Sequence, residues 1–287
     1  MDYESLLIID EDNWKEHAGE GEGDNRFIII DGEKKSYGLK PRTDFSKPVG
    51  PYASAPDFDL IPRNEWASRI ADMESAKADL QAIGDRLGIL CKDQNGTNYC
   101  HANSAVSGLE YTMAVQGEGY IELSPGSVGG PITNYTNSGA YIQDDLQQIV
   151  KYGAAPTILV PNNQIKKNGW QPGAAEAALK YRVEQYWDMM SKDSQMDDRV
   201  ATCLLNNQPV CVGYDWWGHA VILLKLVLLG GTKSFGYLFR NSWGTSYGQN
   251  GYAVLAFGKG TPNEAYVIKK VLANPAGAQQ KSFAQAS

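Results

Sequence analysis

Two short apolar runs, Leu6 to Ile9 and Phe27 to Ile30, stand near the start of the chain with an acidic, glycine-rich loop, His17 to Asn25, between them. Runs of this length bounded by turn-forming residues predict strands, and Asp31-Gly32 after the second run predicts a hairpin turn. Residues 1–40 therefore read as a small β-rich element. Over residues 41–62 the pattern is broken by Pro41, Pro48, Pro51, Pro56 and Pro62. Each removes a backbone donor and fixes φ, which predicts an extended arm.

Beyond the arm the period changes. Between Asn64 and Leu87 the apolar positions Trp66, Ile70, Met73, Leu80, Ile83 and Leu87 recur mostly at three- and four-residue steps, with Gly88 as a stop, and predict one amphipathic helix. Val106, Leu109 and Met113 form a second stripe over Cys100 to Gln116, preceded by the polar segment Asn95 to Asn98, which puts Cys100 in a helix's first turn. Further helices are expected over Gln143 to Tyr152, Ala174 to Met190 and Asp197 to Leu205. After Gln208 the runs Pro209–Tyr214, His219–Leu229, Phe235–Arg240, Gly251–Phe257 and Ala265–Val271 read as strands. The expected class is α+β: a main domain over 63–273, with a helical lobe to about 205, a β lobe over 206–273 and a cleft between them, then a polar tail over 274–287.

Composition narrows the function. With 43% hydrophobic and 21% charged residues the chain is an ordinary globular protein, and a net charge of −7 disfavours nucleic acid, which needs a basic face. The stretch Ala220 to Leu229 is interrupted by Lys225 and is too short to span a membrane, so no membrane partner is expected. The N-terminus carries acids where a secretion signal needs bases, so a cytoplasmic or virion-associated location is expected. Cys91, Cys100, Cys203 and Cys211 form no CxxC pair, which predicts free thiols, and Cys100-His101 lacks zinc-ligand spacing. Neither metal nor cofactor is expected.

A thiol nucleophile needs a base to make it a thiolate, a group that fixes the base, and donors for the tetrahedral oxyanion. Gln94 stands six residues before Cys100 in KDQNGTNYCHANSAV, His219 opens HAVILLKLV, and Asn241 begins NSWGTSYGQNGYAVL. In residue types and order these segments resemble the papain-like cysteine peptidases. YLFRNSWGTSYGQNGYAVLAFG carries the most specific match, LLNNQPVCV and SGAYIQDDLQQIVKYG add to it, and the likeness runs from about residue 60 to residue 273. It implies a two-lobed fold with a helical left lobe and a β-sheet or barrel right lobe. It also implies peptide hydrolysis through an acyl-thioester, with Cys100 as nucleophile, His219 as base, Asn241 orienting that base, and Gln94 with the Cys100 amide receiving the oxyanion. Gly139 and Ala140 fall where the family pairs with substrate backbone, Trp243 where it covers the His–Asn hydrogen bond, and Trp217 beside an open end of the cleft, exposed with Trp216.

The sequence also departs from the family. Thr97 and Asn137 stand where secreted members place a disulfide pair, and Tyr99 and His101 replace a small residue and a Trp beside the nucleophile, where they would crowd the cleft. The interval from Cys100 to His219 is a short 119 residues, and residues 1–60 do not resemble the family's inhibitory propeptide. Two alternatives stay open: acyl transfer to an amine, and a non-catalytic structural or capsid-associated protein that docks on an assembly partner, or on copies of itself, through residues 1–62.

Overall fold

The computed structural model describes residues 6–190, 194–230 and 234–273, so the tail expected over 274–287 lies outside the described residues. In chain order the elements are β1 (Ile8–Ile9), α1 (Trp14–His17), β2 (Phe27–Ile30), β3 (Glu33–Ser36), β4 (Ala53–Ser54), α2 (Arg63–Ala76), α3 (Leu80–Leu87), α4 (Cys100–Val115), α5 (Gly126–Ile132) and α6 (Ile142–Tyr152). There follow α7 (Ala174–Ala178), β5 (Tyr181–Asp188), α8 (Met196–Leu205), β6 (Val210–Tyr214), β7 (His219–Leu229), β8 (Ser234–Arg240), β9 (Tyr252–Ala256) and β10 (Glu264–Ala273).

The amphipathic stripe of α4 explains its place. Val106 and Leu109 are fully buried and Met113 nearly so, each contributing about 1.5–3 kcal/mol on burial. They seat the helix between the helical side and the sheet, where the Ser104 hydroxyl donates to the Val221 carbonyl at 2.7 Å. Among the described residues one mixed sheet runs in the order β1-β9-β8-β7-β6-β10-β5-β4, and β2 with β3 forms a separate hairpin. That hairpin turns at Asp31 and Gly32, with φ of 52° and 80°, the pair of positive values that a tight two-residue turn requires.

Two helical expectations need correction. Residues 64–87 form two helices, because Lys77 takes a left-handed conformation at the end of α2 and the Asp79 carboxylate caps α3 by accepting from the Ala82 amide. Residues 174–190 hold only the five-residue α7 before the chain extends into β5, which pairs with β10 on one side and β4 on the other. The helical bias of AAEAALK is confined to α7, and Tyr181–Asp188 beyond it is extended by sheet pairing, which a local reading does not see.

The first 62 residues are woven into this architecture. β1 lies parallel to β9, with Ile8 opposite Val254, and β4 lies parallel to β5, with Ala53 opposite Tyr186. Between these two edges, residues 36–40 cross the groove between the helical side and the sheet.

Candidate active site

Three of the expected site residues sit at the ends of elements. Cys100 is the first residue of α4, whose unpaired N-terminal amides favour a thiolate. His219 is the first residue of β7, and Asn241 follows the last residue of β8. Gln94 is turned back toward them by a tight loop in which the Thr97 amide and hydroxyl both donate to the Gln94 carbonyl, at 2.9 and 2.7 Å.

The imidazole is held in one tautomer. His219 Nε2 lies 2.8 Å from Asn241 Oδ1, which can only accept, so Nε2 carries the proton and Nδ1 keeps its lone pair. Trp243 stacks on the ring at 4.4 Å between centroids, and Trp217 and Tyr37 approach it edge-on at 4.9 and 5.5 Å. Nδ1 is buried without a hydrogen-bond partner, so thiol and imidazole make no hydrogen bond in this state. Burial pushes the Cys100 thiol up to about 12, against the pull of the Ala220 and His101 amides. Burial also pushes the His219 imidazole down to about 3, against its hydrogen bond to Asn241. Both groups are therefore neutral.

Across this site runs the crossing segment, a strap over residues 36–40, whose Tyr37 ring lies 5.5 Å from the imidazole. The Gly38 and Leu39 amides donate to the Gly218 carbonyl at 3.3 and 3.1 Å, the Ala140 amide donates to the Gly38 carbonyl at 3.0 Å, and the Lys40 amide donates to the Ala140 carbonyl at 3.0 Å. An extended backbone thus bonds to both walls at once. Gln94 Nε2 donates to the Ser36 carbonyl at 2.9 Å and to the Thr97 carbonyl at 2.7 Å, which uses both of its amide hydrogens. Its Oε1 accepts from the Ser242 hydroxyl at 2.5 Å. One Gln94 hydrogen would be released for an oxyanion only when Ser36 leaves. The strap is pinned by buried Lys35, which pairs with Asp93 at 2.8 Å, and by Arg26, which donates to the Trp216 carbonyl at 3.0 Å.

The remaining expected residues divide. Ala140 bonds backbone to backbone with Gly38 and Lys40 of the chain itself, whereas the Gly139 amide donates to the Asp24 carboxylate at 2.8 Å. Trp243 covers the His–Asn pair. Trp217, expected to be exposed, is fully buried, because Trp216 stacks on it at 5.3 Å and Trp14 of α1 closes over Trp216 at 5.5 Å. Tyr99 and His101 do not crowd the cleft. The Tyr99 hydroxyl donates to the Thr136 carbonyl at 2.9 Å inside the helical side. His101 Nδ1 lies 2.7 Å from the Asp145 carboxylate of α6, and both side chains are fully buried. In place of a cross-link at Thr97 and Asn137, Asn137 accepts from the Asn98 amide at 2.8 Å and donates to the Gly96 carbonyl at 3.0 Å. All four cysteines are free. Among the described residues no three His, Cys, Asp or Glu side chains gather to hold a metal, and no helix is long and apolar enough to cross a membrane.

Sequence reasoning missed Asp145, Ser242 and the whole strap. Asp145 makes a measurable prediction. Burial, opposed by His101, pushes its carboxyl up to about 6, so folding disfavours the ionised form. Its contribution is full below the ordinary carboxylate range and falls as pH rises to about 6. Urea unfolding of wild type against Asp145→Asn should show a stability difference that moves against wild type by up to ~3 kcal/mol between pH 4 and 7. A difference flat in pH would show that Asp145 ionises freely in the fold.

Comparison with solved structures agrees with this architecture. The digestive procathepsin L 3 of the Tenebrio molitor larval midgut matches with a TM-score of 0.52 at 18% identity, covering 62% of this chain and 65% of that one. The proform of the ragweed pollen allergen Amb a 11, a cysteine protease, matches at 0.50 and 18%, covering 64% and 63%. Xylellain, a cysteine protease from Xylella fastidiosa, matches at 0.55 and 18%, covering 85% of this chain and 99% of that one. The chain spans slightly less than two-thirds of the length of the first two. No protein-family model and no curated protein matches the sequence.

Proposed function

We propose that this chain, which has the papain-like α+β fold, is a cysteine peptidase held latent by its own residues 36–40. One observation carries the reading. The groove beside Cys100 and the His219–Asn241 pair binds an extended peptide backbone from both walls, and the peptide it binds is its own. A groove that recognises backbone amides and carbonyls, with a thiol at a helix N-terminus and an oriented imidazole below it, suits attack on a peptide bond.

With the strap displaced, water and a substrate peptide replace it. His219 Nδ1 accepts the Cys100 proton, giving a thiolate–imidazolium pair that the α4 amides favour. The thiolate attacks the peptide carbonyl. The oxyanion receives the Gln94 hydrogen that Ser36 had occupied, together with the Cys100 amide. As the C–N bond breaks, the imidazolium returns its proton to the leaving amine and a thioester remains. A water then gives its proton to Nδ1 and attacks the thioester, releasing a carboxylic acid and restoring the thiol. Asn241 keeps the ring in register through both transfers.

The test is chemical labelling. An epoxide inhibitor of papain-like enzymes should add one equivalent to a strap-opened protein, at Cys100 only, as read by mass spectrometry of the digested product. The same protein should cleave a mixed peptide library. A folded, opened protein that takes no label would leave the chain a non-catalytic scaffold.

A further inference from the structure

The residue after Cys100 is a buried histidine that takes no part in the proposed chemistry. His101 Nδ1 lies 2.7 Å from Asp145 Oδ2, and both side chains are fully buried. Each partner has an end left over: His101 Nε2 and Asp145 Oδ1 are buried without a hydrogen-bond partner. Two apolar side chains would fill the same space without stranding polar atoms, so the pair's place in the core calls for a role.

Its position supplies one. His101 belongs to the first turn of α4, and its backbone amide is one of those that pull on the Cys100 sulfur. Asp145 belongs to the first turn of α6, which begins two residues after Ala140, where the strap is bonded. The contact between them therefore ties the turn that carries the thiol to the wall that binds the peptide.

The pair also carries a charge that varies. Facing it are Tyr99 and Cys100 at the start of α4, Asp144 of α6 and Cys211 of β6. Lys40 of the strap and Tyr186 of β5 interact with Asp144 beside it, and α5 brings no titratable group. Burial first, then Asp144, pushes the Asp145 carboxyl up to about 6 against His101, so the pair holds an added proton in mild acid and is a buried anion above it. The anion opposes a thiolate nearby, and Asp145 accordingly helps to push the Cys100 thiol up.

We propose that His101 and Asp145 are positioning residues for Cys100, pinning the turn that carries the thiol and setting, by the proton they hold or release to solvent, how readily that thiol ionises. With the proton held, the pair is neutral and turns no charge against the thiolate. With the proton released, the buried carboxylate sets its field against the sulfur, and the same thiol ionises less readily. The pair thus favours a nucleophile poised in mild acid. What this does for catalysis rests on the peptidase reading, but ionisation of the thiol is measured without turnover.

The thiol is isolated in the full-length chain by Gly38→Ala, which opens the strap, together with His219→Ala, which leaves Cys100 without its base. Alone, it should titrate near the ordinary thiol range, where the pair is an anion. Alkylation by iodoacetamide, read at Cys100 by mass spectrometry from pH 5 to 10, gives the midpoint. Adding Asp145→Asn should lower that midpoint by about one unit, which makes alkylation at pH 7 about tenfold faster. Replacing both partners, His101→Leu with Asp145→Leu, removes the charge without stranding either group and should lower the midpoint as far. Urea unfolding identifies which variants are folded. Lost packing alone would weaken the fold and leave the alkylation midpoint in place, and an unmoved midpoint in a folded variant overturns the proposal. A lowered midpoint beside a Gly38→Ala protein that cleaves no peptide would sink the peptidase reading and keep the pair's role. Cleavage beside an unmoved midpoint would do the reverse.

Discussion

Gly38→Ala in the full-length protein is expected to raise the alkylation rate of Cys100 by roughly 10²- to 10³-fold, and peptide turnover with it. A Cβ at residue 38 would run into the Asn98 backbone, and Gly38 has a φ of 156°, which side chains rarely adopt. Strain of this kind costs ~1–3 kcal/mol and the overlap a further ~1–3 kcal/mol. Each 1.4 kcal/mol shifts the open population about tenfold. Alanine adds no charge and removes no hydrogen bond, so its effect falls on strap closure. The pH profile is a second readout. In the closed state the thiol titrates at about 12, so alkylation of the intact protein should keep climbing through pH 9 and above. In the opened variant it should level off across neutral pH, because a hydrated His219 can then share the thiol proton. Equal rates for the two proteins would show that the strap does not control access.

Cys100→Ala, made in the Gly38→Ala background, should abolish epoxide labelling and reduce peptide turnover by about 10⁵-fold or more, the scale on which losing a nucleophile acts. His219→Ala should cost a comparable amount, because the two residues work as one unit and their losses do not add. The fold should survive both changes. Urea midpoints of the variants would confirm that lost turnover is lost chemistry. Retention of even a hundredth of the activity by Cys100→Ala would mean that another group attacks the substrate.

How far the sequence spoke depended on how local each cause was. α4, α6 and β6 to β10 were legible because their apolar periods match their burial, and the Asp31-Gly32 turn because only certain residues take its backbone angles. The break at Lys77 was not, since lysine gives no sign of a left-handed cap, although Asp79 offered a capping signal. β5 was not, because its partners lie in β10 and β4. The places of Cys100, His219 and Asn241 at element ends followed from the helical stripe and the strand runs around them, and only their roles came from the resemblance. The strap did not, because Tyr37-Gly38-Leu39-Lys40 has no pattern of its own and is defined by bonds to Gly218 and Ala140, far along the chain. Asp145 was hidden for the same reason: nothing near residue 145 announces that a histidine 44 residues earlier will meet it.

The stitch between Asn137 and the loop Gly96–Asn98 is made of amide hydrogen bonds. Electron donors that keep a sulfhydryl from oxidising cannot undo it. A mercaptan added to return an oxidised Cys100 to its thiol would leave the framework around it whole, so recovery of the sulfhydryl and retention of shape need not be traded against each other.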